Sequence, residues 1–234
     1  MSDINISIEG CTSKRLLTAG KYCDKDIVVT AEGGSEDNSV NAYFAKTLEE
    51  VDCDEATELN SYAFYENSGI KRVRFANVTT VGIFNFHRCE NIESVDLPEA
   101  TGAIGAYFCN GCKKMTSINI PKATALDKYA LQNANIIETV DLPSVQSLGD
   151  YALHQTHALK ALILRYDGGV VTRGSYVLAT SSITNKTGYI YVPAALIEDY
   201  KADSQWSTHA TQLRALEDYT VDGTITGKLD ENKI

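Results

Sequence analysis

The sequence has 234 residues, of which 44% are hydrophobic and 22% are charged, and its formal net charge is −10. These proportions are typical of a folded globular protein, and the acidic balance argues against nucleic acid as a partner. No run reaches the roughly 18 apolar residues that a membrane span needs, so we predict none. The first five residues lack the basic and apolar regions of a secretory signal, so we expect no signal peptide there.

Residues 1–32 are predicted to form a small N-terminal β unit. Isoleucines alternate from Ile4 to Ile8, and the run Asp26–Thr30 is apolar and β-branched, so both segments are predicted strands. Residues 33–39 are small and polar, with two glycines and two serines, which is the composition of a flexible linker.

A hydrophobic pattern then returns about every 22 residues between residues 40 and 183. Each copy opens with an apolar residue and has further apolar residues three and five positions later. The openers are Leu48, Ile70, Ile92, Met115, Ile137 and Leu159. A fixed period of about 20–29 residues with this spacing predicts a leucine-rich-repeat solenoid with short parallel strands, here of about six coils. The expected fold class is α/β.

Three further columns of the repeat predict its turns. A proline column (Pro98, Pro121 and Pro143) follows the strand and should end it. A second column consists of residues that tolerate left-handed or turn backbone: Asn60, Gly82, Gly105, Asp127 and Gly149. Two residues later comes an aromatic column of Tyr62, Phe84, Tyr107, Tyr129 and Tyr151. We expect these rings to stack in the core, so that Tyr129→Ala would cost about 3–5 kcal/mol.

Residues 184–218 are predicted to cap the solenoid with a strand and a helix. The strand is Tyr189–Val192, ended by Pro193, and the helix runs from about Ala194 to Ala202. Such a cap covers the core that the last repeat would expose. Residues 219–234 are charged and glycine-containing, and we predict a polar tail there.

The 22-residue unit resembles the BspA-type leucine-rich repeats of bacterial surface proteins. The resemblance lies in phrases such as Ile137–Pro143 and Leu148–Leu153, and it covers more than half of the chain. The segment Ile190–Lys201 with Trp206 is similar to segments that close such arrays. The resemblance implies adhesion and ligand binding, with no catalytic residues and no cofactor.

Two terminal segments, Leu17–Val29 and Val221–Asp230, are similar to segments of prophage and phage-tail proteins. Together with the expected absence of a signal peptide, they favour an alternative function as a structural or accessory component of a phage tail. The localisation follows the function: cell surface or virion if the family resemblance holds, and cytoplasm otherwise.

The six cysteines are too sparse for a disulfide scaffold in a chain of this length. Cys53, Cys89, Cys109 and Cys112 fall in apolar columns, so we expect most of them to be reduced core residues and the Cys109-x-x-Cys112 pair not to be a redox motif. Cys89 and Cys112 occupy one column in successive coils, which leaves a disulfide between them open as an alternative. A disulfide between Cys11 and Cys23 is likewise left open.

The pair His154 and His157 is too small a ligand set for zinc, and no Asp, Cys or third His occurs at a suitable spacing. The matching positions in other coils carry mixed polar residues, as expected of a solvated face. No phosphate loop or nucleophile motif occurs either. The sequence therefore predicts no metal site, no cofactor and no catalytic site.

The outer side of the predicted strands is the remaining candidate site. Side chains next to the inward positions should project from it and form a putative ligand face: Asp52, Arg72, Arg74, Ser94, Asp96, Ser117, Asn119, Thr139 and Asp141. Ala161 and Ile163 take the same positions in the next coil. Solenoids commonly bind partners on such a face. We therefore expect a non-enzymatic adhesion-type module that binds a protein or a glycan, against the alternative of an ordinary solvated sheet.

Overall fold

A computed structural model describes residues 15–18, 21–23, 48–54, 56–221 and 224–225 of the chain. The strands in these ranges are β1 (Arg15–Thr18), β2 (Lys21–Cys23), β3 (Leu48–Cys53), β4 (Glu58–Leu59), β5 (Arg72–Phe75), β6 (Thr80–Val81), β7 (Ser94–Asp96), β8 (Gly102–Ile104), β9 (Ser117–Asn119), β10 (Ala123–Leu126), β11 (Thr139–Leu142), β12 (Ser147–Leu148), β13 (Ala161–Leu164), β14 (Thr172–Arg173), β15 (Tyr189–Val192), β16 (Leu213–Ala215), β17 (Thr220–Val221) and β18 (Thr224–Ile225).

The chain winds into a β-solenoid of about eight turns with few helices. Each turn contributes one strand to a first row, and these strands pair in parallel as β3-β5-β7-β9 and β11-β13-β15-β16. The predicted leucine-rich-repeat solenoid is confirmed. It has about two turns more than the repeat pattern predicts, because β15 and β16 continue the parallel stack beyond the last repeat.

A second row of short parallel strands lies on another side of each turn. It pairs as β4-β6 and as β8-β10-β12-β14. These strands carry the second inward column of the repeat, including Leu59, Ile104 and Leu126, which are all buried. The sequence predicts that these residues point inward but does not predict that they lie in strands of two to four residues.

One apolar core runs along the axis of the solenoid. In β5, Val73 and Phe75 are buried while Arg72 and Arg74 are exposed, because successive side chains of a strand point to opposite sides. The repeat openers from Ile70 to Leu159 are also buried. Burying one such side chain contributes about 1.5–3 kcal/mol, most of which offsets the entropy lost on ordering the chain.

Of the two backbone conformations predicted for the column of Gly82, Gly105 and Gly149, the left-handed one does not occur at these glycines, because none of them has positive φ. Positive φ occurs two residues later, at the aromatic column: Tyr62 (65°), Phe84 (57°), Tyr107 (57°), Tyr129 (60°), Tyr151 (58°) and Tyr176 (58°). This conformation turns the chain and directs the aromatic side chain away from the core.

The three glycines of this column are instead required by the close approach of successive turns. A Cβ atom on Gly105 would lie 2.2 Å from the carbonyl oxygen of Gly82 in the preceding turn. A Cβ on Gly149 would lie 2.5 Å from the backbone nitrogen of Lys128. Glycine is the residue that allows two backbones to come this close.

The N-terminal strands β1 and β2 form an antiparallel hairpin, and β1 pairs antiparallel with β3. The hairpin therefore extends the first-row sheet at its N-terminal edge. The predicted strands Ile4–Ile8 and Asp26–Thr30 and the predicted linker at residues 33–39 lie outside the described residues.

The C-terminal cap contains the short 3₁₀ helix η1 (Ala194–Leu196), the α-helix α1 (Ile197–Ala202) and the 3₁₀ segment η2 (Ser207–Gln212). Strand β15 and the η1–α1 segment lie where the sequence predicts a strand and a helix. Tyr200 and Trp206 are fully buried and both bind the backbone of Val171. The Val171 N–H donates to Tyr200 Oη at 2.9 Å, and Trp206 Nε1 donates to the Val171 carbonyl at 2.6 Å.

The last 3₁₀ turn, η3 (Leu216–Asp218), covers part of the outer side of the first row. Leu216 and Tyr219 pack against Ala161 and Ile163, which are 6% and 1% exposed. The expectation that these two β13 residues face solvent is therefore wrong. Of the predicted tail, the structure describes β17 and β18, which pair antiparallel; residues 222, 223 and 226–234 lie outside the described residues.

Within the described part of the chain, every helix is too short or too polar to cross a membrane.

Candidate binding face

The nine predicted ligand-face residues lie on the outer side of five consecutive first-row strands, β3 to β11 (hereafter the strand face). Pairing in register aligns them across the strands: Asp52 opposite Arg74, Arg74 opposite Asp96, and Asp96 opposite Asn119. The structure brings seven of them together in one sheet. Thr139 and Asp141 lie on β11, which adjoins β9 but belongs to the next sheet.

Arg74 is the centre of an ion-pair network at the N-terminal end of the strand face. Its Nη1 lies 2.8 Å from a carboxylate oxygen of Asp52 and 2.8 Å from one of Asp54, and its Nε lies 3.7 Å from Asp96. Hydrogen bonds to Asp52 and then Asp54 raise the pKa of Arg74. Arg74 is therefore already paired with carboxylates of both neighbouring turns.

Arg72 is paired in the same way with residues of both neighbouring turns. It forms an ion pair with Glu50 of the preceding turn and another, at 3.4 Å, with Glu93 of the following turn. Because the pairs around Arg72 and Arg74 are solvent-exposed, each contributes at most about 1 kcal/mol to stability. Their main effect is to leave little net charge on β3 and β5.

The middle of the strand face is neutral and hydrogen-bonding. Ser117, Asn119 and Thr139 are exposed there, and Ser94 is half-buried. Asn119 Nδ2 donates to Asp96 Oδ1 at 2.7 Å, and the amide oxygen of this exposed residue accepts no hydrogen bond from the described residues. Among the described residues, the hydroxyls of Ser117 and Thr139 make no side-chain hydrogen bond.

Asp141 forms a salt bridge with Arg165 at the C-terminal end of the strand face. Arg165 Nε donates to both carboxylate oxygens at 2.9 and 3.0 Å, and its Nη2 adds a bond of 2.8 Å. The Arg165 side chain is only 16% exposed. Removing Asp141 would leave a largely buried guanidinium unpaired, so Asp141 is a poor candidate for ligand contact.

Comparison with known families assigns the repeat. A model described as a BspA-type leucine-rich repeat region matches residues 39–160 in six copies, which is more than half of the chain. The chain belongs to this family. The resemblance noted in the sequence is thereby confirmed for the repeats, whereas the prophage-like similarity of the terminal segments stays a prediction.

A crystal structure of a leucine-rich cell surface protein from Faecalibacterium prausnitzii A2-165 is similar to the chain. The similarity covers 71% of this chain and 49% of that one, at 19% sequence identity and a TM-score of 0.47. The chain therefore spans about half the length of that protein. A search of curated proteins finds no match.

In these BspA-type repeats the aromatic column forms a continuous stack outside the core (hereafter the aromatic ladder: Tyr62, Phe84, Tyr107, Tyr129, Tyr151 and Tyr176). The rings lie nearly parallel, with centroids 4.5 Å apart between Phe84 and Tyr107 and 5.1 Å apart between Tyr151 and Tyr176. The four inner rings are half-buried, and the two end rings are exposed. The prediction that this column belongs to the core is therefore wrong.

A second ladder runs beside the aromatic one at the next outward position of the BspA-type turn. Tyr65 stacks on His87 at 5.2 Å, Asn110 is hydrogen-bonded to Gln132, and Gln132 lies 2.9 Å from His154 Nδ1. Asn110 is buried, so this column is not the fully solvated face that the sequence suggests. Burial lowers the pKa of His87 and of His154.

His157 Nδ1 lies 2.9 Å from the Thr180 carbonyl oxygen, one turn away. No group of three or more His, Cys, Asp or Glu residues suited to a metal ion occurs among the described residues.

Three of the core cysteines are reduced. Cys89, Cys109 and Cys112 are free and completely buried, as predicted, and burial raises the pKa of each thiol. Cys89 and Cys112 donate to the carbonyl oxygens of Phe64 and Phe86, so the alternative disulfide between them does not form. Cys53 is buried and disulfide-bonded, so it is the exception among these four core cysteines.

Proposed function

We propose that this chain is a non-enzymatic, adhesion-type binding module that recognises a protein or glycan ligand through the strand face. The observation that carries the proposal is the in-register alignment of outward side chains over β3, β5, β7 and β9. Such an alignment presents a repeated pattern of charged and hydrogen-bonding groups to an extended partner. Membership of the BspA-type leucine-rich repeat family also supports a binding role.

The neutral middle of the strand face is the best candidate for the centre of the ligand contact. The arginines of β5 already have acidic partners on the neighbouring strands, so a ligand would have to compete with existing ion pairs there. Ser117 and Thr139 offer hydroxyls that no described residue uses. A ligand that hydrogen-bonds to these hydroxyls displaces only water. Such contacts cost less free energy to form than contacts that must first break an ion pair.

An exported location agrees with the disulfide at Cys53. Disulfides persist in oxidising compartments and are rare in the cytosol. The three free thiols are buried and hydrogen-bonded or core-packed, so they are protected from oxidation in the same environment. A surface or virion location is therefore preferred over the cytoplasm.

The test is capture of the full chain on arrays of extracellular proteins and of glycans. The first variant, Ser117→Arg with Thr139→Arg, places two bulky cations in the neutral middle of the strand face. The matched control, Thr80→Arg with Ala103→Arg, makes the same charge change at exposed residues of the second row. Loss of capture in the first variant alone supports the strand face.

The alternative function, a structural or accessory component of a phage tail, depends on terminal segments that lie largely outside the described residues. It predicts co-purification of the chain with tail particles and no capture on the arrays. The adhesion-type function predicts the reverse.

A further inference from the structure

The last ring of the aromatic ladder has one face that no other ring covers. Tyr176 stacks on Tyr151 with centroids 5.1 Å apart and an interplanar angle of 19°. On its other side, the described residues supply no further ring. Tyr176 is 62% exposed, the largest exposed fraction among the large hydrophobic residues of the described chain. The stack therefore ends on a ring that could accept one more planar or disc-shaped group.

Tyr176 also lines a groove of about 300 Å³ between the last repeat and the C-terminal cap. Its other walls include Asp150, Arg173, Ser175, Gln205 and Thr208, all polar. This volume is at the lower end of the range for small-molecule sites and fits a single ring better than an extended chain.

The walls of the groove are held in place by hydrogen bonds that do not involve solvent. The Arg173 N–H donates to Gln205 Oε1 at 3.1 Å, and Gln205 Nε2 donates back to the Arg173 carbonyl. Arg173 Nε also donates to the Gln205 carbonyl at 2.7 Å, and its guanidinium lies 5.0 Å from the centre of the Trp206 ring. The cap and the last repeat are thus joined at the groove, which makes its shape preorganised.

Asp150 supplies an acceptor at the edge of this groove. Its Oδ1 accepts the Ser175 N–H at 2.6 Å, which fixes the carboxylate. Its Oδ2 accepts no hydrogen bond from the described residues, and the residue is exposed. A fixed, free carboxylate oxygen beside an open aromatic face can accept a hydrogen bond from a ligand hydroxyl.

We propose that this groove binds one pyranose ring of a carbohydrate against the open face of Tyr176. A pyranose has one face of C–H groups that packs on an aromatic ring, and a rim of hydroxyls that matches Asp150 and the other polar walls. An aromatic side chain of a peptide could stack on Tyr176 as well. It would leave Asp150 Oδ2 without a hydrogen-bond donor, and among the described residues that line the groove Tyr176 is the sole aromatic ring.

This site shares no residue with the strand face, so the two proposals fail or succeed separately.

The test is saturation-transfer NMR of the full chain with free monosaccharides, namely glucose, galactose, mannose, fucose, N-acetylglucosamine and N-acetylgalactosamine. N-acetyl-tyrosinamide is the aromatic probe. The variants are Tyr176→Ala and Asp150→Asn. The matched control is Tyr62→Ala, which removes the other end ring, 37% exposed and stacked on Phe84 at 5.0 Å.

We expect at least one monosaccharide to receive saturation, most strongly at the C–H groups of one face. Tyr176→Ala should abolish that signal, Asp150→Asn should weaken binding roughly 10-fold, and Tyr62→Ala should leave it unchanged. Equal melting temperatures of Tyr176→Ala and Tyr62→Ala would show that the fold is retained. The proposal is overturned if no monosaccharide binds, if binding survives Tyr176→Ala, or if N-acetyl-tyrosinamide alone binds.

Discussion

The rings of Tyr107 and Tyr129 stack 4.6 Å apart at an angle of 17°, and both residues have left-handed backbone, with φ of 57° and 60°. Left-handed backbone costs a non-glycine residue about 1–2 kcal/mol. Stacking with a neighbour on each side contributes roughly 0.5–1.5 kcal/mol per pair. The aromatic ladder therefore offsets the backbone strain of the turn that carries it.

This relationship changes the expected effect of Tyr129→Ala. Because the ring is half-buried in a surface stack, we expect a loss of about 1–3 kcal/mol, below the cost of a fully buried ring. Tyr129→Gly should be more stable than Tyr129→Ala by about 0.5–1 kcal/mol, since glycine adopts this φ without strain. Urea titration of both variants measures the difference, and a glycine variant less stable than the alanine variant would contradict the left-handed turn.

Gly105→Ala should be strongly destabilising, because its Cβ would lie 2.2 Å from the Gly82 carbonyl oxygen and only a backbone shift can relieve the contact. We expect a loss of about 3 kcal/mol or more in denaturant titration. Gly102→Ala is the matched control: its Cβ meets nothing within 4 Å, and its φ is +70°. It should cost only about 1 kcal/mol. Equal losses would show that the turns are not in close backbone contact.

Stability should fall as the pH drops from about 6.5 towards 4, because of His209. Burial, with a smaller contribution from the Arg173 charge, lowers the pKa of His209 from 6.5 to about 4. The folded chain thus binds this proton more weakly than the unfolded chain does, and protonation favours unfolding. The full pKa difference between the folded and the unfolded chain corresponds to about 3 kcal/mol of unfolding free energy. Access of water to the ring reduces the expected loss of stability to about 2 kcal/mol.

Urea titrations at pH 7 and pH 4.5 measure this loss. His209→Gln should remove most of it, whereas His157→Gln, at an exposed histidine, should not. His87 and His154, whose pKa values are also lowered by burial, should contribute to the slope that remains. An unchanged pH dependence in His209→Gln would refute this assignment.

The Asp141–Arg165 pair should be energetically coupled, unlike the exposed ion pairs of the solenoid. A double-mutant cycle with Asp141→Asn and Arg165→Gln should give a coupling of about 1–2 kcal/mol, because the bond is bidentate and Arg165 is 16% exposed. The same cycle on Glu138 and Lys160, which are 60% and 65% exposed, should give less than about 0.5 kcal/mol. Similar values for the two cycles would mean that burial does not strengthen the first pair.

The architecture could be predicted from the sequence because the 22-residue period and the alternation of polar and apolar residues are purely local signals. They identify the first-row strands from β5 to β13, the buried columns and the outward position of residues such as Arg74 and Asn119. The proline column also lies where predicted: Pro98, Pro121 and Pro143 come one or two residues after their strands.

The features that the sequence missed depend on the sign of one dihedral angle or on contacts between distant segments. A column of tyrosines has the same spacing whether its rings point inward or outward, and the left-handed φ that turns them outward leaves no trace in residue type. Ile163 looks like an outward residue because the segment that covers it, around Leu216, is some fifty residues away in sequence. The pairing of Asp141 with Arg165 likewise appears only once the turns are stacked.

The measurement that tests the strand face most directly is the ratio of dissociation constants of the two arginine double variants for a ligand captured by the wild-type chain. Ser117→Arg with Thr139→Arg should weaken binding by roughly 10-fold or more, because bulky groups at the centre of an interface exclude the ligand. Thr80→Arg with Ala103→Arg should remain within about two-fold of wild type. Equal affinities of the two variants, or a loss confined to the second, would contradict recognition through the strand face.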